Sequence, residues 1–254
     1  MDLIARRYAW CYALSQLKLK YRYTLLGACW NVLEPGLYLG VLSMVFSVIN
    51  RMDIRDYAVF LFGALVPWRY FEKVVTGCTD AVVSGDWLHK KMRVSPATLP
   101  VARWIVATAE LLFSMVAMFG VFSLLDHHWT IHLVILPVAL LPWSMLGLGI
   151  GLCTAILFVF FRDIRTLVQL GLMLMFFSSP ILFRAGVFSG DPVREWIIRL
   201  HPITYFAALL QKPVYQAMWP DAIDWLVSVP CATAALLLGM LAIRRYRHTI
   251  YYYL

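Results

Sequence analysis

Residues 133–161, LVILPVALLPWSMLGLGIGLCTAILFVFF, contain no Asp, Glu, Lys or Arg. A soluble domain has no place for so long an uncharged run, whereas a membrane-spanning helix needs roughly 20 mostly apolar residues. The rest of the chain agrees. Of 254 residues, 62% are hydrophobic and 14% charged, and mean hydropathy is +0.74, where soluble domains carry about 25% charged residues. The chain reads as an all-α integral membrane protein.

Six stretches have the required length and composition: 30–50, 57–82, 104–125, 133–161, 166–183 and 225–243. The fourth holds Pro137, Pro142, Gly147, Gly149 and Gly151, which predict a kink or bend. The first 28 residues carry five Lys/Arg and no long apolar core, so they read as mature sequence and not as a cleaved signal. The cations between spans fall unevenly. Fourteen lie on one side: Arg6, Arg7, Lys18, Lys20, Arg22, Lys90, Lys91, Arg93, Arg103, Arg162, Arg165, Arg244, Arg245 and Arg247. Six lie on the other: Arg51, Arg55, Arg184, Arg194, Arg199 and Lys212. The positive-inside rule then puts both termini in the cytoplasm, which fits an even number of spans. The same asymmetry accounts for the net charge of +8 without a nucleic-acid partner.

Residues 1–28 predict an amphipathic helix in the cytoplasmic interface. Trp10, Leu14, Leu17, Tyr21 and Leu25 recur at helical spacing, flanked by Lys18, Lys20 and Arg22. On the opposite side, residues 184–224 connect spans five and six without being hydrophilic. Two apolar runs, each too short to span, break at His201-Pro202 and Lys212-Pro213. They predict a pair of short external re-entrant or interfacial helices, read either as an external gate or as interfacial packing. Ser178-Ser179-Pro180 marks the end of span five, and Pro180, His201, Pro202 and Tyr205 are the gate candidates.

Several charges fall inside spans, where each is unfavourable by at least about 2.5–3.5 kcal/mol on insertion scales: Glu34, Arg69, Glu72, Lys73, Asp80 and Glu110. In the stretch VPWRYFEKVV, Arg69 lies three residues from Glu72 and four from Lys73. Two readings stand: a salt-bridged cluster between helices, or a polar wall on a conduit. The neighbouring Trp68, Tyr70 and Phe71 suit a conduit for sugars, because aromatic faces stack on the CH faces of pyranose rings. Trp68, Arg69, Tyr70, Phe71, Glu72, Lys73 and Glu110 are therefore the channel-lining candidates.

The sequence contains no GxxxxGK[ST] phosphate loop, and no Ser-His-Asp set, HExxH or GxSxG stands out. The chain is expected to bind no cofactor and no metal itself. His127, His128 and His132 sit in a short external turn of ordinary interfacial character, and Cys11, Cys29, Cys78, Cys153 and Cys231 are scattered, with no metal or redox spacing. Any energy for transport has to come from a partner.

The chain resembles the membrane (permease) subunit of ABC-2 type exporters of polysaccharides: O-antigens, capsules and teichoic acids. Five motifs in chain order carry the resemblance. The interface helix ends in Lys20-Tyr21-Arg22-Tyr23-Thr24-Leu25-Leu26-Gly27, followed by Trp30 and Pro35. The family's leading Arg is Lys20 here, which keeps the charge but loses the planar fork. DWLHKKMRVSPATLPVARWIVATAE fits a short cytoplasmic coupling helix at about 84–98; Val94-x-Pro96, Ala102-Arg103 and Glu110 look like the capsule-export branch. Phe161-Arg162-Asp163-Ile164 matches the turn after span four, the Pro-containing external segment matches the gate helices, and RRYRHTIYY matches the basic tail.

The resemblance implies a single transmembrane domain over 1–254. Its parts are an interface helix at 1–28, spans one to three over 30–125, spans four and five over 133–183, the external gate segment over 184–224, span six over 225–243 and a cytoplasmic tail over 244–254. It implies a bacterial inner-membrane protein in which two copies pair around a channel. Two separate nucleotide-binding ATPase subunits, with ATP and Mg, would dock on Trp87, His89, Lys90, Lys91, Arg93 and Pro96. The cargo would be a lipid-linked polysaccharide moving from cytoplasm to periplasm. Lys20, Tyr21, Arg22, Trp30 and Glu34 would lie at its lateral entrance, near the lipid phosphate, within surrounding membrane lipids. Phe161, Arg162 and Asp163 would form a cytoplasmic turn. The rival readings are a drug or small-lipid exporter of the same superfamily, a simple channel, and an intramembrane enzyme on lipid-linked sugars that pairs Asp80 with Glu110 or His89.

Overall fold

The structure is a computed structural model that describes residues 3–22, 30–85, 95–125, 130–184 and 192–253. Among these residues every regular element is helical. In chain order they are α1 (Leu3–Tyr21), α2 (Trp30–Ile49), α3 (Ile54–Ser84), α4 (Thr98–Leu124), a 3₁₀ turn (Ile131–Ile135), α5 (Leu136–Phe160), α6 (Ile164–Ser178), α7 (Pro192–Leu200), α8 (Pro202–Gln211), a wide turn (Lys212–Gln216) and α9 (Ala222–Tyr253).

Three segments are long and apolar enough to cross a membrane: Thr98–Leu124, Ile131–Phe160 and Ala222–Arg247. Helices α2 and α3 meet the same test only as a pair, bent by 118° at the break between them. Helix α6 is apolar but has 15 residues; it stops at Ser178, where Ser179-Pro180 begins a bend. The chain is thus a multi-pass helical membrane protein.

The two chain breaks read from Pro202 and Pro213 are where helices end. Pro202 opens α8, whose start tolerates a residue without an N–H. Pro213 lies in the wide turn that closes it. Helix α9 continues to Tyr253, so the basic tail is helical over 244–253, with Ile250 buried beside Val82, Leu152 and Ile156. The expected coupling helix falls largely on residues 86–94, which lie outside the described residues; α3 ends at Ser84 and α4 starts at Thr98.

Helix α3 is the central element. It packs against α2, α4, α5, α6 and α8, and buries Phe62, Phe71, Val74 and Cys78. Trp143 of α5 is wholly buried. Its ring lies edge-on to Trp68, Phe71 and Phe206, and its Nε1 donates to the Phe206 carbonyl at 3.0 Å. Each such ring pair adds about 0.5–1.5 kcal/mol beyond area burial. This knot joins α3, α5 and α8.

The glycines of α5 are used for close approach. They alternate between its two neighbours, α3 and α9. A Cβ on Gly147 would meet Val74 at 3.1 Å, and one on Gly151 would meet Cys78 at 2.6 Å. A Cβ on Gly149 would run into the backbone of Ala235, and one on Gly239 would reach the Gly149 carbonyl at 2.5 Å. Helix α5 stays one helix through Pro142. Where hydrocarbon surrounds a bundle, small residues let backbones pack closely when no hydrophobic gain separates helix from lipid.

Gly149→Ala is therefore expected to destabilise the fold, although alanine is the better helix former. Overpacking against backbone costs about 1–3 kcal/mol. Gly171→Ala, with nothing within 4 Å of its added Cβ, is expected to be neutral or stabilising by about 0.5–1 kcal/mol. Thermal unfolding of both variants in one detergent measures the contrast.

Candidate functional site

The intramembrane charges converge. Glu110 of α4 is 6% exposed and binds two lysines from different elements. Lys20, in the last turn of α1, reaches Oε1 at 2.5 Å, and Lys73 of α3 reaches Oε2 at 2.9 Å. A buried carboxylate needs such partners, because an uncompensated charge is strongly destabilising. Both lysine side chains stay partly exposed, so their stems are packed and their heads are wet. Beside them, Arg69 pairs with Glu72 at 3.3 Å and lies 4.3 Å from the centre of the Tyr38 ring.

These groups border a small cavity of about 50 Å³ between α2, α3 and α4, lined by Glu34, Tyr38, Arg69, Tyr70, Lys73 and Glu110 among others. A neighbouring cleft of about 200 Å³ between α2, α3 and α6 is lined by Tyr38, Trp68, Arg69, Glu72, Phe176 and Phe177. Glu34, Arg69, Lys73 and Glu110, read from three separate stretches of sequence, thus share one wall. Phe71 is sealed in the core. The Tyr70 ring is buried and its hydroxyl is a knot: it donates to Ser144 Oγ at 3.0 Å, accepts from Trp104 Nε1 at 3.1 Å and lies 3.1 Å from Thr108 Oγ1. Trp104, Thr108 and Ser144 were not singled out in the sequence. The only signal was their polar atoms in otherwise apolar runs.

Helix α1 docks on α4 through Ala9 and Ala13 against Ala102. The larger apolar residues face away from the protein, with Trp10 56% and Leu14 42% exposed. The sequence signal for the docked face was two alanines four apart, the small-residue spacing of close helix contacts. Arg22 lies just past α1, and Trp30 opens α2 with its side chain exposed. Tyr21 closes α1; Tyr23–Gly27 lie outside the described residues, as do Trp87, His89, Lys90, Lys91 and Arg93. Pro96 is buried in the turn before α4. Phe161, Arg162 and Asp163 form an exposed turn between α5 and α6; Arg162 folds over Phe158, and Arg165 reaches back to Asp80 at 3.5 Å. Asp80 and Glu110 each bind a cation.

The far end holds the gate candidates. Pro180 is buried in the bend after α6, held by Gln211 Nε2 donating to its carbonyl at 3.3 Å. His201 lies between α7 and α8, 3.1 Å from Ser178 Oγ, and burial holds its imidazole below the usual range. Tyr205 donates to the Arg199 carbonyl at 2.9 Å. Lys212 binds Asp221 at 2.6 Å and Asp224 at 2.5 Å. Burial alone would lower Lys212, but the two carboxylates outweigh it and hold the ammonium above its ordinary value.

Because Glu110 has two cations, either lysine alone can satisfy much of its charge. Lys20→Ala and Lys73→Ala are each expected to cost about 1 kcal/mol or less, as partly exposed pairs do. The double variant leaves a buried carboxylate unpaired and should lose more than the sum, by about 1–3 kcal/mol. Adding Glu110→Gln to the double variant should restore part of that loss. A thermal-unfolding mutant cycle reads the coupling.

No family model matches the chain. Three curated proteins are similar to it over most of their length. One is the O-antigen export system permease protein RfbA of Myxococcus xanthus, 29% identical over 208 residues, covering 82% of this chain and 80% of that protein. The Klebsiella pneumoniae protein of the same name is 26% identical over 198 residues, 74% and 73% of the two chains. The polysialic acid transport protein KpsM of Escherichia coli is 23% identical over 207 residues, 79% and 78%. The resemblance to the membrane subunits of ABC-2 type polysaccharide exporters is borne out: the chain is similar to proteins named as an O-antigen export permease and a polysialic acid transport protein.

Proposed function

We propose that this chain is the channel-forming subunit of an ATP-driven exporter that moves a lipid-linked polysaccharide, an O-antigen or capsule, from cytoplasm to periplasm across the inner membrane. The observation that carries this reading is the Lys20–Glu110–Lys73 bridge. It ties the N-terminal helix to two central helices beside a charged cavity, in a chain homologous to export permeases. The complete unit is two copies of the chain with two ATPase subunits. Each copy has six spans, with α2 and α3 crossing separately and α6 reaching across with the bend that follows it, and both termini are cytoplasmic.

In this reading α1 lies in the interface with Trp10 and Leu14 in lipid and its cations at the headgroups. Closure of the ATPases presses on α1 and on the segment between α3 and α4. The bridge at Glu110 passes that push to α3 and α4, whose polar face borders the conduit. Lys20 and Arg22 sit where a lipid pyrophosphate would approach, and charge-assisted hydrogen bonds from such cations suit phosphate oxygens. Glu34, Arg69 and Glu72 keep the wall wet, so hydroxyl-rich sugar can slide past without a greasy barrier.

Deleting the gene is expected to remove the glycan from the cell surface while lipid-linked polymer accumulates inside. Surface staining and extraction of cell-internal lipid-linked polymer measure the two pools, and unchanged surface glycan overturns the reading. Arg22→Ala is expected to lower surface glycan severalfold while leaving the amount of membrane-inserted protein unchanged; immunoblotting beside the surface stain separates export from assembly.

A further inference from the structure

At the end of α2 away from Lys20, a second and larger cavity of about 770 Å³ opens between α3, α8, the wide turn after it and the bend at Pro180–Arg184. Ligand pockets typically measure about 300–1,000 Å³. Hydrogen bonds hold one wall of this cavity in place. Tyr57 donates to the Leu182 carbonyl at 2.7 Å and Asn50 to the same oxygen at 3.1 Å. With the Gln211 bond to Pro180, three side chains from α2–α3 and α8 fix the bend that forms one side. The Tyr215 ring is clamped between the edge of Phe60, 5.6 Å away, and the Arg184 guanidinium, 4.8 Å away.

The chemistry of the lining is mixed in a particular way. Two tyrosines, Tyr205 and Tyr215, supply ring surface, and Asn50, Gln211 and Gln216 supply amides. The lysine is matched by two carboxylates at 2.6 and 2.5 Å, and the Arg184 guanidinium lies against the Tyr215 ring. Three amides and an ion pair lie among these apolar surfaces. Rings with apolar faces beside amides and a carboxylate suit a polyol. We propose that this cavity is a saccharide site that holds a short run of sugar rings of the polymer as it leaves the channel. The proposal rests on the export reading above, which puts this end of the bundle outside.

The test uses the full-length protein in living cells. Gln216, exposed at the cavity rim, is replaced as Gln216→Cys, and its rate of reaction with a membrane-impermeant maleimide is measured. Cells synthesising the strain's own polymer are compared with cells in which synthesis is blocked. Arg55→Cys, on the exposed first turn of α3 outside the cavity, serves as the reference, and unsubstituted protein gives the background. The expected result is outside labelling of both positions when synthesis is blocked, with labelling at Gln216→Cys alone slowed severalfold when polymer flows. Adding Arg184→Ala, which frees the Tyr215 clamp at an exposed position, should weaken that protection. Equal rates at Gln216→Cys in the two kinds of cell, with outside labelling intact, overturn the saccharide site and leave the export reading standing. Labelling of Gln216→Cys and Arg55→Cys only after lysis overturns the outward placement on which both depend.

Discussion

A carboxylate taken out of water must find cations, and Glu110 finds one on each side. That requirement organises the end of the bundle that holds the N-terminal helix. Lys73 reaches it along α3, and Lys20 reaches it from the last turn of α1. The alanine face of α1 sits flat on α4, which brings Lys20 within range. Tyr8 and Tyr12 add partly buried rings to this contact, and the ion pairs add a second hold. With them, a short helix whose large apolar residues face outward is fixed to the protein at two points. The packing and the charges solve one problem together: holding a helix that gains nothing by burying Trp10 and Leu14 in protein.

The other end is held by different means. The bend at Pro180–Leu182 has no helix to satisfy its carbonyls, and at membrane depth bare carbonyls are expensive. Tyr57, Asn50 and Gln211 supply the missing donors. Helix α8 is short, yet Ile203, Phe206, Leu209 and Leu210 are all buried, and Trp143 donates to a carbonyl in its middle. A broken segment can sit inside a bundle when its neighbours complete its hydrogen bonds and its one apolar face is covered. Ion pairs lock the α1 end and neutral hydrogen bonds lock the bent end, and central α3 runs between them.

Much of this was legible in the sequence where one residue type has one physical meaning. Proline cannot continue a hydrogen-bonded turn, so the breaks at Pro180, Pro202 and Pro213 could be placed to the residue. Charge inside an apolar run must be partnered, so a salt-bridged cluster was one of two readings of Arg69, Glu72 and Lys73, although sequence could not say that Lys73 would share Glu110 with Lys20. Residues with two meanings were harder. Gly147, Gly149 and Gly151 read as a point of bending, and only the positions of α3 and α9 show that they serve close contact. The periodicity of Trp10 and Leu14 gave α1 an apolar face for the membrane interface; the protein side is marked by Ala9 and Ala13, which no hydropathy pattern picks out. The hydroxyl knot at Tyr70 depends on α3, α4 and α5 meeting at one level, information that no single stretch of sequence holds.

The mixture of rigid and yielding contacts fits the work of a permease. Helix α5 is wedged by glycine against α3 on one side and α9 on the other, where a shift of a few tenths of an ångström meets backbone. Close-packed interfaces of that kind do not deform gradually; they move as a block. The contacts of α1 are of another sort. Partly exposed lysines can lengthen their bonds to Glu110, or exchange them for water, at a cost of about 1 kcal/mol each. A force applied to α1 therefore meets a soft joint first and a stiff block behind it. The Lys73 bond keeps Glu110 satisfied while the Lys20 bond opens, so α1 can shift without stranding a charge.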